Sequence, residues 1–128
     1  MRDFRQYKVW KESHNLTLRV YKVTSTFPSD EKFALIPQMR RAAYSIPSNI
    51  AEGCGRDSDK DFNRFLQIAT GSINELEYFI ILAKDLALIN DRVCEELEKE
   101  LNILKSMLYN LSCKLKESYT KQPKAYSL

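Results

Sequence analysis

Glycine and proline are scarce in this chain, at 3 and 4 of 128 residues. So little turn punctuation favours long helices over many short strands. Histidine occurs once, as His14, and the three cysteines, Cys54, Cys94 and Cys113, stand far apart. With no Cys-x-x-Cys pair and no second histidine, a structural zinc site is not expected, and the thiols read as reduced. No apolar run approaches the roughly 20 residues that span a bilayer. The opening Met-Arg-Asp-Phe-Arg-Gln is followed by no apolar stretch of the secretory kind, so a cytoplasmic location without membrane contact is expected. Catalytic signatures are missing too: there is no nucleophile elbow, no glycine-rich phosphate loop and no His-Glu-x-x-His. His14, on an outward-leaning position, reads as a solvated side chain. The expectation is a non-enzyme with no catalytic residue, metal or cofactor.

The chain does have enough apolar residues, 44%, for the core of one domain. Its most informative stretch runs from Gln38 to Gly53. Met39, Ala42, Ala43, Ile46 and Ile50 recur there at steps of three and four, which places them on one side of a helix. Pro47 interrupts this pattern. An interior proline removes one amide donor and crowds the carbonyl of Ala43, at about 3 kcal/mol in an ordinary helix. Ser45, Ser48 and Asn49 flank it and can serve freed backbone groups. The reading is a proline-kinked helix that stops at Gly53.

The other helices follow the same logic. Four are expected, at about residues 7–25, 30–53, 59–86 and 91–118. In the first, Val9, Leu16, Val20, Val23 and Phe27 form a stripe, with Ser13 filling a gap. Phe27-Pro28 ends it, and Ser29 or Asp30 caps the second. Pro37 divides that second segment into a lead-in turn and a main helix if it takes the first helical position. Ser58, three residues before Asp61, resembles a capping box for the third. Gly71 interrupts the third helix, either to admit a neighbour or by simple tolerance. Leu97, Leu101, Leu104, Leu108, Leu111 and Leu115 form a heptad seam along the fourth, with Asn90 or Asp91 as its cap. Residues 119–128 show no periodicity and read as a disordered tail. Short connections make this an all-α, up-down-up-down antiparallel four-helix bundle.

Several strings also resemble a known family. Arg40-Arg41-Ala42-Ala43, Ser45-Ile46-Pro47 and Asn49-Ile50-Ala51-Glu52-Gly53 look like the signature of the bacterial four-helix-bundle proteins encoded in 23S rRNA intervening sequences. Val9-Trp10, Phe27-Pro28 and the run from Phe62 to Leu76 match as well, so the likeness spans about residues 4–115. The chain is also similar to accessory variability determinant proteins of diversity-generating retroelements, although those are more basic. The resemblance implies a ring of five subunits and an association with RNA-related elements.

Three surface features carry the functional expectations. Arg56, Lys60 and Arg64 recur every four residues and share one helix face; Arg40 and Arg41 precede them, and Arg19 and Lys22 could add to the strip. Residues 1–64 hold 12 Lys/Arg against 8 Asp/Glu, whereas residues 65–128 hold 8 against 9, so the basic bias is confined to the first half. Such a strip would contact the phosphates of RNA or DNA, but Asp57, Asp59 and Asp61 interleave it as on any solvated helix end. Tyr78-Phe79-Ile80-Ile81-Leu82-Ala83 is apolar all round. It is either a central helix touching two neighbours or an oligomer interface of Tyr78, Phe79, Ile81 and Leu82. Ser45, Asn49, Glu52, Ser72 and Glu75 are expected to form a structural polar cluster about Pro47. The partners expected are further copies of the chain and a nucleic acid, with a protein scaffold role as the alternative.

Overall fold

In the computed structural model, which describes residues 2–120, the chain folds as four helices with no strand among the described residues. They are α1 (Lys8–Thr24), α2 (Leu35–Cys54), α3 (Asp59–Asp85) and α4 (Asp91–Thr120). Single 3-10 turns at Phe4–Gln6 and Ser29–Glu31 lead into α1 and α2. The apolar stripes face one core, in which Leu16, Met39, Ile50, Phe62, Leu76 and Leu101 are among the fully buried side chains. Helix α2 lies between α1 and α3, and α4 packs on α3 and more lightly on α1. Pairs across each seam run in opposing order: Thr17 meets Ala43 while Thr24 meets Arg40, and Arg41 meets Glu75 while Gly53 meets Phe62. Lys105 meets Glu77 while Ser112 meets Asn63, so sequence neighbours are antiparallel. The 121–128 part of the expected tail lies outside the described residues. Tyr119 and Thr120, by contrast, still belong to α4.

The helix ends differ from expectation for identifiable reasons. Helix α2 begins at Leu35 rather than near residue 30, because the chain first makes the Ser29–Glu31 turn. Its entry is served by Glu31, whose carboxylate accepts from the Leu35 amide at 3.3 Å. Pro37 is then the third helical residue, where an amide has no intrahelical acceptor in any case. Ser58 caps α3 by accepting from the Asp61 amide at 3.0 Å, and Asn90 caps α4 through the Val93 amide at 2.8 Å. The α3 C-terminus closes with the Ala87 amide on Lys84 O and the Leu88 amide on Ala83 O. This double closure puts Ala87 at φ 60, a conformation usually left to glycine.

Gly53 does not stop α2; the helix runs on to Cys54. Its purpose is space. A Cβ on Gly53 would lie 2.8 Å from Cδ1 of Phe62 and 2.9 Å from Cβ of Phe65, so only a hydrogen lets α3 approach. Gly71 has nothing within 4 Å, and the close-approach reading fails for it within the chain.

Helix α2 continues through Pro47, whose missing amide leaves the Ala43 carbonyl without its usual donor. The donor comes from another helix. The Thr17 hydroxyl of α1 lies 3.1 Å from Ala43 O and 2.8 Å from Ser13 O, and its one proton is shared between them. Thr17 is buried, so no water can substitute at this point.

Substitutions test these backbone demands. In urea denaturation, Gly53→Ala should destabilise by about 1–3 kcal/mol through overpacking. Gly71→Ala, with open space around it, should stabilise by up to about 1 kcal/mol, and Ala87→Gly should stabilise by about 1 kcal/mol through relief of its left-handed backbone. An unchanged midpoint for Gly53→Ala would refute the close approach. Separately, Thr17→Val should cost about 1–3 kcal/mol by orphaning a buried carbonyl. Adding Pro47→Ala, which restores the amide, should recover part of that loss; strictly additive effects in the double-mutant cycle would refute the coupling.

Candidate nucleic-acid interface

The basic residues separate into two groups. Arg56, Lys60 and Arg64 lie at the junction of α2 and α3. Arg40 and Arg41 lie near the other end of α2, about 20 Å away at 1.5 Å per residue. The expectation that α2 would bring all five together fails, because α2 delivers its C-terminus, and not its first turns, to the start of α3. Arg40 is committed to α1: its Nε donates to Thr24 Oγ1 at 2.8 Å, and its guanidinium lies 4.5 Å from the Tyr21 ring centroid. Arg41 turns the other way and pairs with Glu75 of α3 at 3.1 Å. Arg19 forks onto Glu96 and Glu100 of α4 at 3.1 and 3.2 Å and adds nothing to a strip.

The junction group is organised by aromatic rings. The guanidiniums of Arg56 and Arg64 lie 4.6 and 4.5 Å from the centroid of Phe65. Both also have carboxylate partners, Arg56 with Glu52 at 3.0 Å and Arg64 with Asp61 at 2.9 Å. Lys60 is exposed and makes no ion pair among the described residues. Arg2, which precedes the first helix and has no place among the expected site residues, joins this end. It stacks 4.7 Å from the Phe62 ring, donates to the Arg56 carbonyl at 2.8 Å and pairs with Asp59. Hydrogen bonds from Ser118 and Arg2 hold the Asp59 carboxyl below the usual range. The signal for this arm was Phe4, whose ring packs edge-on against Trp10 with centroids 4.9 Å apart.

The polar cluster around Pro47 is smaller than expected. Ser45 and Ser72 join α2 to α3 through hydroxyls 2.8 Å apart, and Asn49 donates to Ser45 O at 2.7 Å and Ser45 Oγ at 3.0 Å. Glu52 and Glu75 are outside it, because each has a guanidinium closer to hand, Arg56 and Arg41 respectively. Among the described residues, no group of three His, Cys, Asp or Glu is disposed to hold a metal ion. His14 is exposed and stacks on Trp10, the rings 3° from parallel.

The apolar run of α3 divides by face. Phe79 and Leu82 pack against the core, whereas Tyr78 and Ile81 are 58% and 44% exposed. Ile68 of α3 and Ile103 of α4 are exposed as well. No helix among the described residues is long and apolar enough to cross a membrane.

A four-helix bundle with cations gathered at one helix junction is thus the class that fold and site define. The chain belongs to the 23S rRNA-intervening sequence protein family, whose profile matches residues 5–110. A crystal structure of a protein of unknown function from the S23 ribosomal protein family of Bacteroides thetaiotaomicron has the same fold. Its TM-score is 0.76 at 25% identity, covering 81% of this chain and 94% of that one. Comparison with curated proteins gives no match.

The thiols differ in their surroundings. Burial pushes the Cys54 thiol up to about 11, and Cys94 is raised by burial as well. Cys113 is only half-buried. Iodoacetamide at pH 8 should therefore modify Cys113 first and reach Cys54 and Cys94 only on unfolding. Rapid native-state labelling of Cys54 would contradict the packing of the α2–α3 junction.

Proposed function

We propose that this chain is a non-enzymatic, oligomeric bundle that binds the backbone of a nucleic acid, or a nucleic-acid-processing partner, through the cations of the α2–α3 junction. The observation that carries this reading is the set of Arg56, Arg64 and Arg2 guanidiniums held on aromatic rings beside Lys60. Their carboxylate partners do not oppose it. Exposed ion pairs are worth about 0–1 kcal/mol, so a phosphate can replace a carboxylate at small cost. The family's name, which refers to an rRNA intervening sequence, supports a connection to RNA. Exposed Tyr78 and Ile81 supply an apolar surface for self-association, and a ring of five is the assembly implied by the family resemblance. In such a ring the cationic patch would repeat, and weak contacts would gain avidity.

A second reading has one observation in its favour. A shallow depression along α4, lined by Glu95, Glu98, Lys99, Ile103 and Met107, offers an acidic and apolar surface to a protein partner. The two readings separate under charge reversal. Binding of structured RNA and duplex DNA across a salt series should weaken linearly in log salt, by about 0.9 per phosphate contacted on duplex DNA. Lys60→Glu with Arg64→Glu should lower affinity by tenfold or more, and light scattering on the same sample should give an oligomeric mass. Absence of binding at low salt by an intact oligomer would defeat the nucleic-acid reading and leave the scaffold. A monomeric mass would defeat the oligomer.

A further inference from the structure

Two open depressions lie in line along the seam between α3 and α4, starting from Lys60 and Arg64, and together define a groove. The first, a cavity of about 430 Å³, is lined by Ser58, Lys60, Asp61, Asn63, Arg64 and Tyr119. The second, of about 470 Å³, follows on the same seam and is lined by Gln67, Asn74, Lys105, Tyr109 and Lys116 among others. From Lys60 to Asn74 the α3 wall measures about 21 Å at 1.5 Å per residue. The floor is a ladder of polar groups. Gln67 donates to Ser112 Oγ at 3.1 Å, Ser112 to Asn63 Oδ1 at 2.5 Å, and Asn63 to the Tyr119 hydroxyl at 3.0 Å.

The walls carry the charge. Lys60 and Lys116 are exposed and make no ion pair among the described residues. Arg64 is paired with Asp61 at 2.9 Å and Lys105 with Glu77 at 2.9 Å, so four cations face two carboxylates along the groove. Tyr109 is 70% exposed at its edge. An apolar helix would cover the exposed Lys60 and Lys116 without supplying a counter-charge. A duplex keeps its bases stacked inside and could use only the cations. A single strand uses the cations for its phosphates and the open aromatic face for stacking.

We propose that the α3–α4 groove seats a single-stranded nucleic acid, with Lys60, Arg64, Lys105 and Lys116 on its phosphates and Tyr109 stacked on a base. This rests on the nucleic-acid reading above and narrows it to a single strand and a defined path. The test is fluorescence anisotropy of the full chain with labelled oligouridine and with a duplex of equal length, over a salt series. The strand should bind at least tenfold tighter than the duplex. Tyr109→Ala should cost about tenfold on the strand with an unchanged salt slope. Lys60→Ala and Lys116→Ala should each flatten the slope by about 0.7. Arg40→Ala, which lies off the groove, should leave binding intact. All these side chains except Arg40 are outside the core hydrogen bonds, and circular dichroism checks that each variant is folded. Equal binding of duplex and strand, or indifference to both Tyr109→Ala and Lys116→Ala while Lys60→Glu with Arg64→Glu still weakens binding, would overturn the groove and leave the broader reading standing. No binding by the unmodified chain at low salt would overturn both.

Discussion

The carbonyl of Ala43 needs a donor that its own helix cannot supply. Pro47 took that donor away, and the position is buried, so the group must be served by protein. Thr17 does so from α1 and thereby fixes the height at which α1 meets α2. On the other side of α2, Gly53 fixes how closely α3 can come. Ala42, Ala43, Ala69 and Ala83 are fully buried and keep the neighbouring surfaces shallow. Helix α2 is therefore held from two sides by steric and hydrogen-bonding demands of its own backbone. The leucine seam of α4 then closes over a core whose spacing those demands have already set.

The seams are unequal in consequence. Between α2 and α3 the contact is close and stitched by the Ser45–Ser72 hydroxyls and by Arg41 on Glu75. Between α3 and α4 the Asn63–Ser112–Gln67 ladder is partly buried. The α1–α4 seam depends on Arg19 bridging to Glu96 and Glu100, where exposure holds each pair to about 0–1 kcal/mol. That seam also opens into a cavity of about 750 Å³ lined by Leu18, Val23, Leu88 and Val93. Local opening should accordingly begin there, where few apolar contacts and exposed polar ones combine.

Much of this architecture could be read from apolar periodicity, because burial on one face is what makes a helix stable in water. Five of the six seam leucines of α4 are buried, and the sixth, Leu111, is half-buried while Ser112 faces the core hydrogen bonds. What periodicity cannot report is a demand met from far away in sequence. Thr17 stands 26 residues from Ala43 and looks like an ordinary polar helix residue. Gly53 has two meanings, a stop or a close approach, and only the neighbouring Phe62 and Phe65 decide between them. Glu52 and Glu75 read as members of one cluster, each standing about one turn beyond a serine, Ser48 and Ser72. Each is drawn off by an arginine, since a carboxylate pairs with the nearest guanidinium that it can reach. The groove had a faint signal, Lys105, Tyr109, Ser112 and Lys116 at steps of four, three and four, which the stronger leucine seam beside it obscured.

Charge distribution constrains what kind of recognition this surface can perform. A net charge of +3 creates too weak a field to draw in a polyanion from a distance, and salt screens it within about 10 Å. Selectivity for a polyanion would then depend on contact geometry. Guanidiniums already seated on Phe62 and Phe65 have lost much of the side-chain freedom that binding would otherwise remove, which is the benefit of preorganisation. The carboxylates beside them hold the same cations in place without a ligand and, on the proposed reading, would give way to a phosphate with little loss. A mixed-charge junction is thus compatible with phosphate recognition when its cations are rigid and its acids replaceable. In a repeated assembly, modest affinity at each junction would be multiplied by the number of junctions engaged, rather than raised by the charge of any one.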